Sequence, residues 1–125
     1  MKIGMTSIYV SDPVAAFQYY TTTLGFMERM FVPEANLAIV VSKEDSTGIN
    51  LLLEPNENPV AKTYQEALYK SGIPVITMFS DDIHAEYEKL KELGVVFKKS
   101  PTNADWGTEA VFDDTFGNYV QLAQL

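Results

Sequence analysis

The chain has 125 residues, 46% of them hydrophobic, and carries a formal net charge of −8 with no cysteine. This length and composition predict one domain with a packed core, and they exclude a disordered or fibrous chain, disulfides and thiolate metal sites. Acidic residues outnumber basic ones by seventeen to nine, which leaves no basic surface for nucleic acid. No apolar stretch approaches the roughly 18 residues of a membrane span. We therefore expect a soluble cytoplasmic protein without nucleic-acid or membrane partners. The acidic charge either attracts cationic small molecules or serves solubility alone.

The first strand and helix are marked by an alternating pattern followed by a capping sequence. Residues 2–10 alternate in polarity as a strand does. Asp12 and Pro13 then predict a helix start, because the carboxylate accepts from first-turn amides and proline is tolerated at the first helical position. Apolar residues recur at helical spacing from Phe17 onward, and Gly25 ends the helix.

Three further strands complete the first unit, which spans about residues 1–55. They are predicted at residues 26–31, 38–42 and 49–54, separated by turn-forming sequences. A linker of about residues 56–72 follows and contains one short amphipathic helix near residues 61–69.

The second unit, of about residues 73–125, follows the same order. A strand at residues 75–79 leads to Asp81 or Asp82 as the helix cap, and Gly94 closes the helix. Further strands are predicted at residues 95–98, 109–113 and 118–125.

Asp82 follows Asp12 by 70 residues and Gly94 follows Gly25 by 69, so the spacing of the two units matches closely. The sequence therefore predicts an α+β fold of two tandem βαβββ units within a single domain of residues 1–125. We expect curved mixed sheets with the helices on their outer face.

Several short motifs support a family resemblance. They are Val10-Ser11-Asp12-Pro13, Tyr19-Tyr20 and Leu24-Gly25-Phe26, then Asp81-Asp82-Ile83, Leu90 and Gly94-Val95-Val96-Phe97, and finally Trp106-Gly107 with the run from Phe112 to Leu122. On these residues the chain resembles the vicinal oxygen chelate superfamily of glyoxalases, bleomycin-resistance proteins, fosfomycin-resistance enzymes and extradiol dioxygenases. Because this superfamily includes many chemistries, the resemblance predicts the fold more sharply than the reaction.

The resemblance also locates four metal-binding positions. In the metal-dependent members these positions carry His or Glu. Here they fall on Met5, Leu52 and Gln121, and at or next to Val75. Thioether and hydrocarbon groups do not chelate such ions usefully, and one amide oxygen is a weak ligand. The single histidine, His84, lies in the first turn of the second helix, where a solvated or capping role is expected. We predict no metal and no cofactor, and the chain resembles most the metal-free bleomycin-resistance-like members.

Strand alternation divides the first and last strands of each unit into two sets of side chains. One set is uniformly apolar and should lie under the helices: Ile8, Val10, Leu51, Leu53, Ile76, Met78, Val120 and Leu122. The other mixes aromatic, amide, hydroxyl and carboxylate groups, as a small-molecule site does: Met5, Ser7, Tyr9, Asn50, Leu52, Glu54, Val75, Thr77, Phe79, Tyr119, Gln121 and Ala123. The alternative is that a second sheet or a second subunit packs on this face.

Three residues carry more specific hypotheses. Trp106 precedes a strand, where it either stacks on a planar or cationic ligand or serves as a plug or dimer contact. Glu54 is the best partner for a cationic ligand, and Glu54 and Tyr9 are weak candidates for a catalytic base.

Three classes of function remain open. The first is a metal-free binding protein that sequesters a cationic or aromatic compound in a concave cleft, as a homodimer if the family resemblance holds. The second is an enzyme: a lyase or dioxygenase with an atypical site, or a metal-independent isomerase. The third is a module whose concave face contacts another protein. Because binding needs no catalytic group, the replaced metal ligands favour the first class.

Overall fold

Eight strands and three α-helices make up the computed structural model, which describes residues 1–125. The strands are β1 (Met5–Val10), β2 (Met27–Val32), β3 (Leu37–Val41), β4 (Asn50–Pro55), β5 (Ile76–Phe79), β6 (Val96–Ala104), β7 (Gly107–Asp113) and β8 (Tyr119–Gln124). The helices are α1 (Pro13–Thr22), α2 (Pro59–Lys70) and α3 (Ile83–Glu92). None of the three has the length and apolarity to cross a lipid bilayer.

The elements form two compact units, Met1–Thr63 and Tyr64–Leu125. The first unit contains a sheet of order β1-β4-β3-β2 and the second a sheet of order β5-β8-β7-β6. In each sheet the first and last strands of the unit pair in parallel, and the remaining pairs are antiparallel. The α+β fold of tandem βαβββ units is therefore confirmed, down to the same strand order in both copies.

The helix caps follow from the sequence. Asp12 accepts hydrogen bonds from the Val14 and Ala15 amides at 3.1 Å, with Pro13 at the first helical position. In the second unit the sequence left Asp81 and Asp82 open, and the structure assigns the cap to Asp82, which accepts from the Ala85 amide at 3.1 Å. Each cap satisfies amide donors that have no intrahelical partner.

Each sheet packs one face against its helix. In the first unit, α1 buries Phe17 and Tyr20 against the sheet, and the Phe17 ring stacks on Phe31 with centroids 3.9 Å apart. In the second, Ile83 of α3 packs with Ala110 and Leu122. Burying a side chain of this size stabilises the fold by about 1.5–3 kcal/mol, which keeps each helix packed on one face of its sheet. The opposite face of each sheet is left open.

The turn between β7 and β8 is held by a buried polar cluster. Asp114 is 0% exposed, and its carboxylate accepts from the amides of Phe116 and Asn118 and from the Asn118 side chain at 2.7–3.0 Å. Gln65 of α2, 3% exposed, donates to the Asn118 side-chain oxygen at 3.0 Å and to the Phe116 carbonyl at 3.2 Å. These hydrogen bonds tie the last strand to α2.

Strand β6 is much longer than the predicted strand at residues 95–98, since it runs to Ala104. The sequence around Pro101 is polar and contains no apolar alternation, so it did not predict the second half of this strand. Proline is tolerated because β6 lies at the sheet edge, where one row of amides needs no strand partner. The pairing of β6 with β7 also shifts register between Phe97 and Lys99 and again before Thr102, which breaks the simple alternation.

Candidate functional site

The helices cover the face of each sheet that alternation predicted. Six of the eight residues assigned to the covered face are buried: Ile8, Val10, Leu51, Leu53, Val120 and Leu122. Ile76 and Met78 are half-buried. We call the opposite faces the first open face, on strands β1 to β4, and the second open face, on β5 to β8.

The predicted site residues lie on these two open faces with graded exposure. Met5, Ser7, Thr77 and Phe79 are exposed, whereas Tyr9, Asn50, Leu52, Glu54, Val75, Tyr119 and Gln121 are half-buried. Ala123 differs, since it is completely buried. It is small and pairs with Phe79 on one side and Glu109 on the other, so larger neighbours shield it.

The first open face is apolar and rich in methionine. Met5 on β1 and Met27 and Met30 on β2 are 43–52% exposed. Between β1 and β2, Leu52 pairs with Ile39, and both are half-buried. A sheet face with this much accessible thioether and hydrocarbon is adaptable in shape, because methionine has three rotatable bonds and a polarisable sulfur.

Glu54 and Tyr9 lie side by side on the first open face, as partners in the β1–β4 pairing. Both are half-buried. A carboxylate and a phenol are therefore neighbours at one end of the methionine-rich surface.

The second open face carries a chain of polar contacts that crosses all four strands. Thr77 on β5 donates from its hydroxyl to the Gln121 Oε1 on β8 at 2.7 Å. The Gln121 Nε2 donates to Glu109 Oε2 on β7 at 2.6 Å, and Lys99 on β6 donates to the other oxygen of Glu109. The hydrogen bonds from Lys99 and then Gln121 hold the pKa of Glu109 below its usual value, so the carboxylate is ionised at neutral pH.

Tyr119 is held by neighbours on both the helix and the edge strand of its unit. Its ring stacks on Tyr69 of α2, with centroids 4.5 Å apart and planes at 5°, and the Lys98 ammonium lies 4.5 Å from the centroid. The Tyr69 hydroxyl donates to Asp113 Oδ2 at 2.5 Å, and this bond raises the pKa of Tyr69 well above its ordinary value. The ring of Tyr119 therefore takes part in a packed cluster within the second unit.

Trp106 and Phe79 lie toward one end of the second sheet. Trp106 occupies the turn between β6 and β7 and is 48% exposed, and Phe79 ends β5 at 70% exposed. A shallow cavity of about 210 Å³ lies beside Phe79, lined also by Ser80, Asp81, Gln124 and Leu125. It is smaller than the roughly 300–1,000 Å³ of drug-sized ligand sites, so it does not by itself define a binding pocket.

The four positions where the family resemblance would place metal ligands do not offer a set of groups that fits a metal. Met5 offers a thioether, Leu52 and Val75 offer hydrocarbon, and the amide oxygen of Gln121 already accepts from Thr77. No three His, Cys, Asp or Glu side chains are grouped so that they could hold an ion elsewhere. His84, the one histidine, is exposed on α3.

Sequence reasoning missed several residues of the open faces. Met27 and Met30 share a face only because β2 shifts register between Glu28 and Met30. Glu109 and Lys99 lie on middle and edge strands whose alternation the sequence did not reveal. Lys99 and Glu109 carry opposite charges on the two strands of one hairpin, which could have indicated a contact. The register shifts in β6 make it impossible to predict from alternation which residues face each other.

Comparison with known proteins adds a family and several relatives. Residues 2–122 match the model of the Glyoxalase/Bleomycin resistance protein/Dioxygenase superfamily. YurT of Bacillus subtilis, itself uncharacterised, is 45% identical over 99% of both chains. Among solved structures, UcmS2 is 28% identical with a TM-score of 0.82, covering 98% of this chain and 97% of its own. TnmS3 from Streptomyces sp. CB03234, an antibiotic binding protein, is 26% identical with a TM-score of 0.77, covering 99% and 95%.

Proposed function

Because the chain belongs to the Glyoxalase/Bleomycin resistance protein/Dioxygenase superfamily, we propose that it is a metal-free binding protein that sequesters a small cationic or aromatic molecule against its open sheet faces. The observation that carries this proposal is the methionine-rich first open face. Three methionines there keep about half of their surface accessible, which is unusual for side chains that normally fill cores.

The chemistry of this face suits aromatic ligands. A thioether sulfur near a ring contributes about 0.3–1.5 kcal/mol, and the flexible side chain adapts to rings of different outline. The neighbouring Glu54 carboxylate adds a partner for a cationic substituent, and the overall charge of −8 attracts cations from solution. TnmS3, described as an antibiotic binding protein, supports a binding role for this chain as well.

We further propose that the protein is a homodimer. The apolar face exposes Met5, Met27 and Met30, and hydrophobic surface of this kind is a common marker of an interaction site. Multi-angle light scattering at micromolar concentration should give twice the chain mass of 14.0 kDa. A mass equal to one chain would remove the dimer from the proposal and leave ligand binding to be tested separately.

A metal-independent lyase or isomerase is the competing function. The observation that favours it is the pairing of Tyr9 with Glu54, which places a phenol beside a carboxylate on an open face. An enzyme of this kind would convert a bound compound, and a binding protein would release it unchanged. Recovery of the intact ligand after hours with stoichiometric protein separates the two.

The binding proposal is tested by titrating the protein with two probes, proflavine as a planar cation and 1-naphthol as a neutral aromatic. At a ligand concentration about one hundred times Kd, mass action adds about 2.7 kcal/mol of stability and raises Tm by several degrees. If neither probe shifts Tm, or if elemental analysis finds a near-stoichiometric divalent metal, the proposal is wrong.

A pair of variants locates the site. Replacing Met27 and Met30 with alanine removes two thioethers from the first open face and should weaken binding of both probes by about tenfold. Leu93→Ala is the matched control, since Leu93 is exposed to 51% but lies at the end of α3, on neither open face. Equal affinities in all three proteins would show that the methionines do not contact the ligand.

A further inference from the structure

The side-chain amide of Gln121 is held from both flanks. Strand β8 lies between β5 and β7, so Thr77 and Glu109 approach Gln121 from opposite sides. Thr77 donates to the amide oxygen at 2.7 Å, and Glu109 accepts from the amide nitrogen at 2.6 Å.

These two partners also determine which end of the amide is oxygen. An ionised carboxylate only accepts hydrogen bonds, and Lys99 keeps Glu109 ionised by occupying its other oxygen and lowering its pKa. The amide nitrogen must therefore face Glu109. The oxygen then faces the Thr77 hydroxyl, which can donate, so the hydrogen-bonding chemistry of the two partners determines the orientation of the amide.

A primary amide has two N–H groups and two oxygen lone pairs, all in one plane. Because Thr77 and Glu109 approach from the two flanking strands, we assign to them the lone pair and the N–H on the outer flanks of the amide. On this assignment the remaining lone pair and N–H lie side by side at the end of the amide farthest from the side-chain stem. Gln121 thus presents an acceptor and a donor along a single edge.

The surroundings strengthen this edge. Val111 lies opposite Gln121 on β7 and is only 9% exposed, and Ala123 on β8 is fully buried. Hydrogen bonds made beside apolar, poorly hydrated neighbours are stronger than those made in open water. Fixing the amide in advance also removes part of the ordering cost of binding.

We propose that this edge of Gln121 recognises a ligand carrying an N–H beside a C=O on the same side of a planar ring, as in a lactam or cyclic imide. The inference rests on the proposed binding function and deepens it by naming a ligand class. A lactam pairs both of its groups with Gln121 at once. A carboxylate is disfavoured, because one of its oxygens would meet the Gln121 lone pair without a proton between them.

The test uses two probes that differ by one methyl group. Isoquinolin-1(2H)-one has the lactam N–H, and 2-methylisoquinolin-1-one lacks it but keeps the ring and the carbonyl. Isothermal titration should show the lactam binding at least tenfold more tightly, since the methyl group removes one hydrogen bond and leaves the amide oxygen unpaired.

Variants assign the preference to Gln121. In Gln121→Leu the two probes should bind equally, and in Gln18→Leu, which alters an exposed glutamine on α1, the preference should persist. Thr77→Val, which removes only the donor to the amide oxygen, should reduce the preference. In the unaltered protein, the lactam should also shift the Gln121 side-chain N–H signals in a ¹⁵N spectrum, and the methylated probe should not.

The outcomes separate the two proposals. Suppose that both isoquinolinones and 1-naphthol bind. If the lactam then binds no more tightly than its methylated form, or if its tighter binding survives in Gln121→Leu, the assignment to Gln121 is wrong and the binding function stands. If lactam, methylated lactam, 1-naphthol and proflavine all fail to bind, both proposals fall together.

Discussion

Replacing Gly117 with alanine tests the buried cluster that ties the last strand to α2. Gly117 has φ of +100°, a conformation that alanine adopts only with strain. A Cβ built there would lie 2.7 Å from Gln65 Nε2 and 3.0 Å from its Cδ. Gln65 is 3% exposed and donates to Asn118, so it has no open space into which to move.

The expected loss of stability has two parts. Positive φ costs a non-glycine residue about 1–2 kcal/mol. Displacing Gln65 from Asn118 adds about 1–3 kcal/mol, because buried polar atoms lose a partner. Together they predict a loss of about 2–5 kcal/mol, a large share of the roughly 5–15 kcal/mol that holds a typical domain folded.

Gly94→Ala separates these parts. Gly94 has φ of +90°, but an added Cβ there meets no heavy atom within 4 Å, so only the strain of about 1–2 kcal/mol should appear. Urea unfolding followed by far-ultraviolet circular dichroism measures both variants against the unaltered chain. In a Gln65→Ala background the cost of Gly117→Ala should fall to that of Gly94→Ala. An equal cost in both backgrounds would refute the proposed collision with Gln65.

Two further predictions concern titrating groups of the second unit, Glu109 on β7 and Tyr69 on α2. The pKa of Glu109 is lowered on folding, so its contribution to stability is present at neutral pH and is lost as the pH falls through the folded pKa. In Glu109→Gln the urea unfolding midpoint should therefore fall less between pH 6 and pH 3 than it does in the unaltered chain. The pKa of Tyr69 is instead raised on folding, so its contribution is complete below the ordinary value near 10 and is lost only as the pH climbs through the folded value. Tyr69→Phe removes the hydrogen bond to Asp113, so we expect a loss of about 1–2 kcal/mol of stability at pH 7 and a weaker fall in stability above pH 10. Urea midpoints that match those of the unaltered chain in both pH ranges would show that the bond contributes little.

The parts of the fold that the sequence predicted are those where local signals act alone. Asp12 and Pro13 mark a helix start by their own chemistry, and the pairing of β1 with β4 has no bulge, so alternation placed Ile8 and Leu53 on the covered face correctly. The duplicated spacing then predicted the second unit from the first. These signals need no knowledge of the tertiary structure.

The missed residues are those whose position depends on pairing between strands. A register shift places Met30 beside Ile39, and another places Lys99 beside Val111; neither shift has a sequence signature as strong as a glycine or a proline. Tyr69 was equally hidden, because its contact with Tyr119 depends on how α2 lies against the sheet. Long-range packing therefore determined the polar chain of the second open face.

The measurement closest to the central claim is a titration of 1-naphthol into protein that has been dialysed against EDTA, compared with untreated protein. Binding through the methionine side chains predicts the same affinity in both samples and a loss of about tenfold when Met27 and Met30 are both alanine. Binding that disappears after EDTA and returns with a divalent metal would contradict the account.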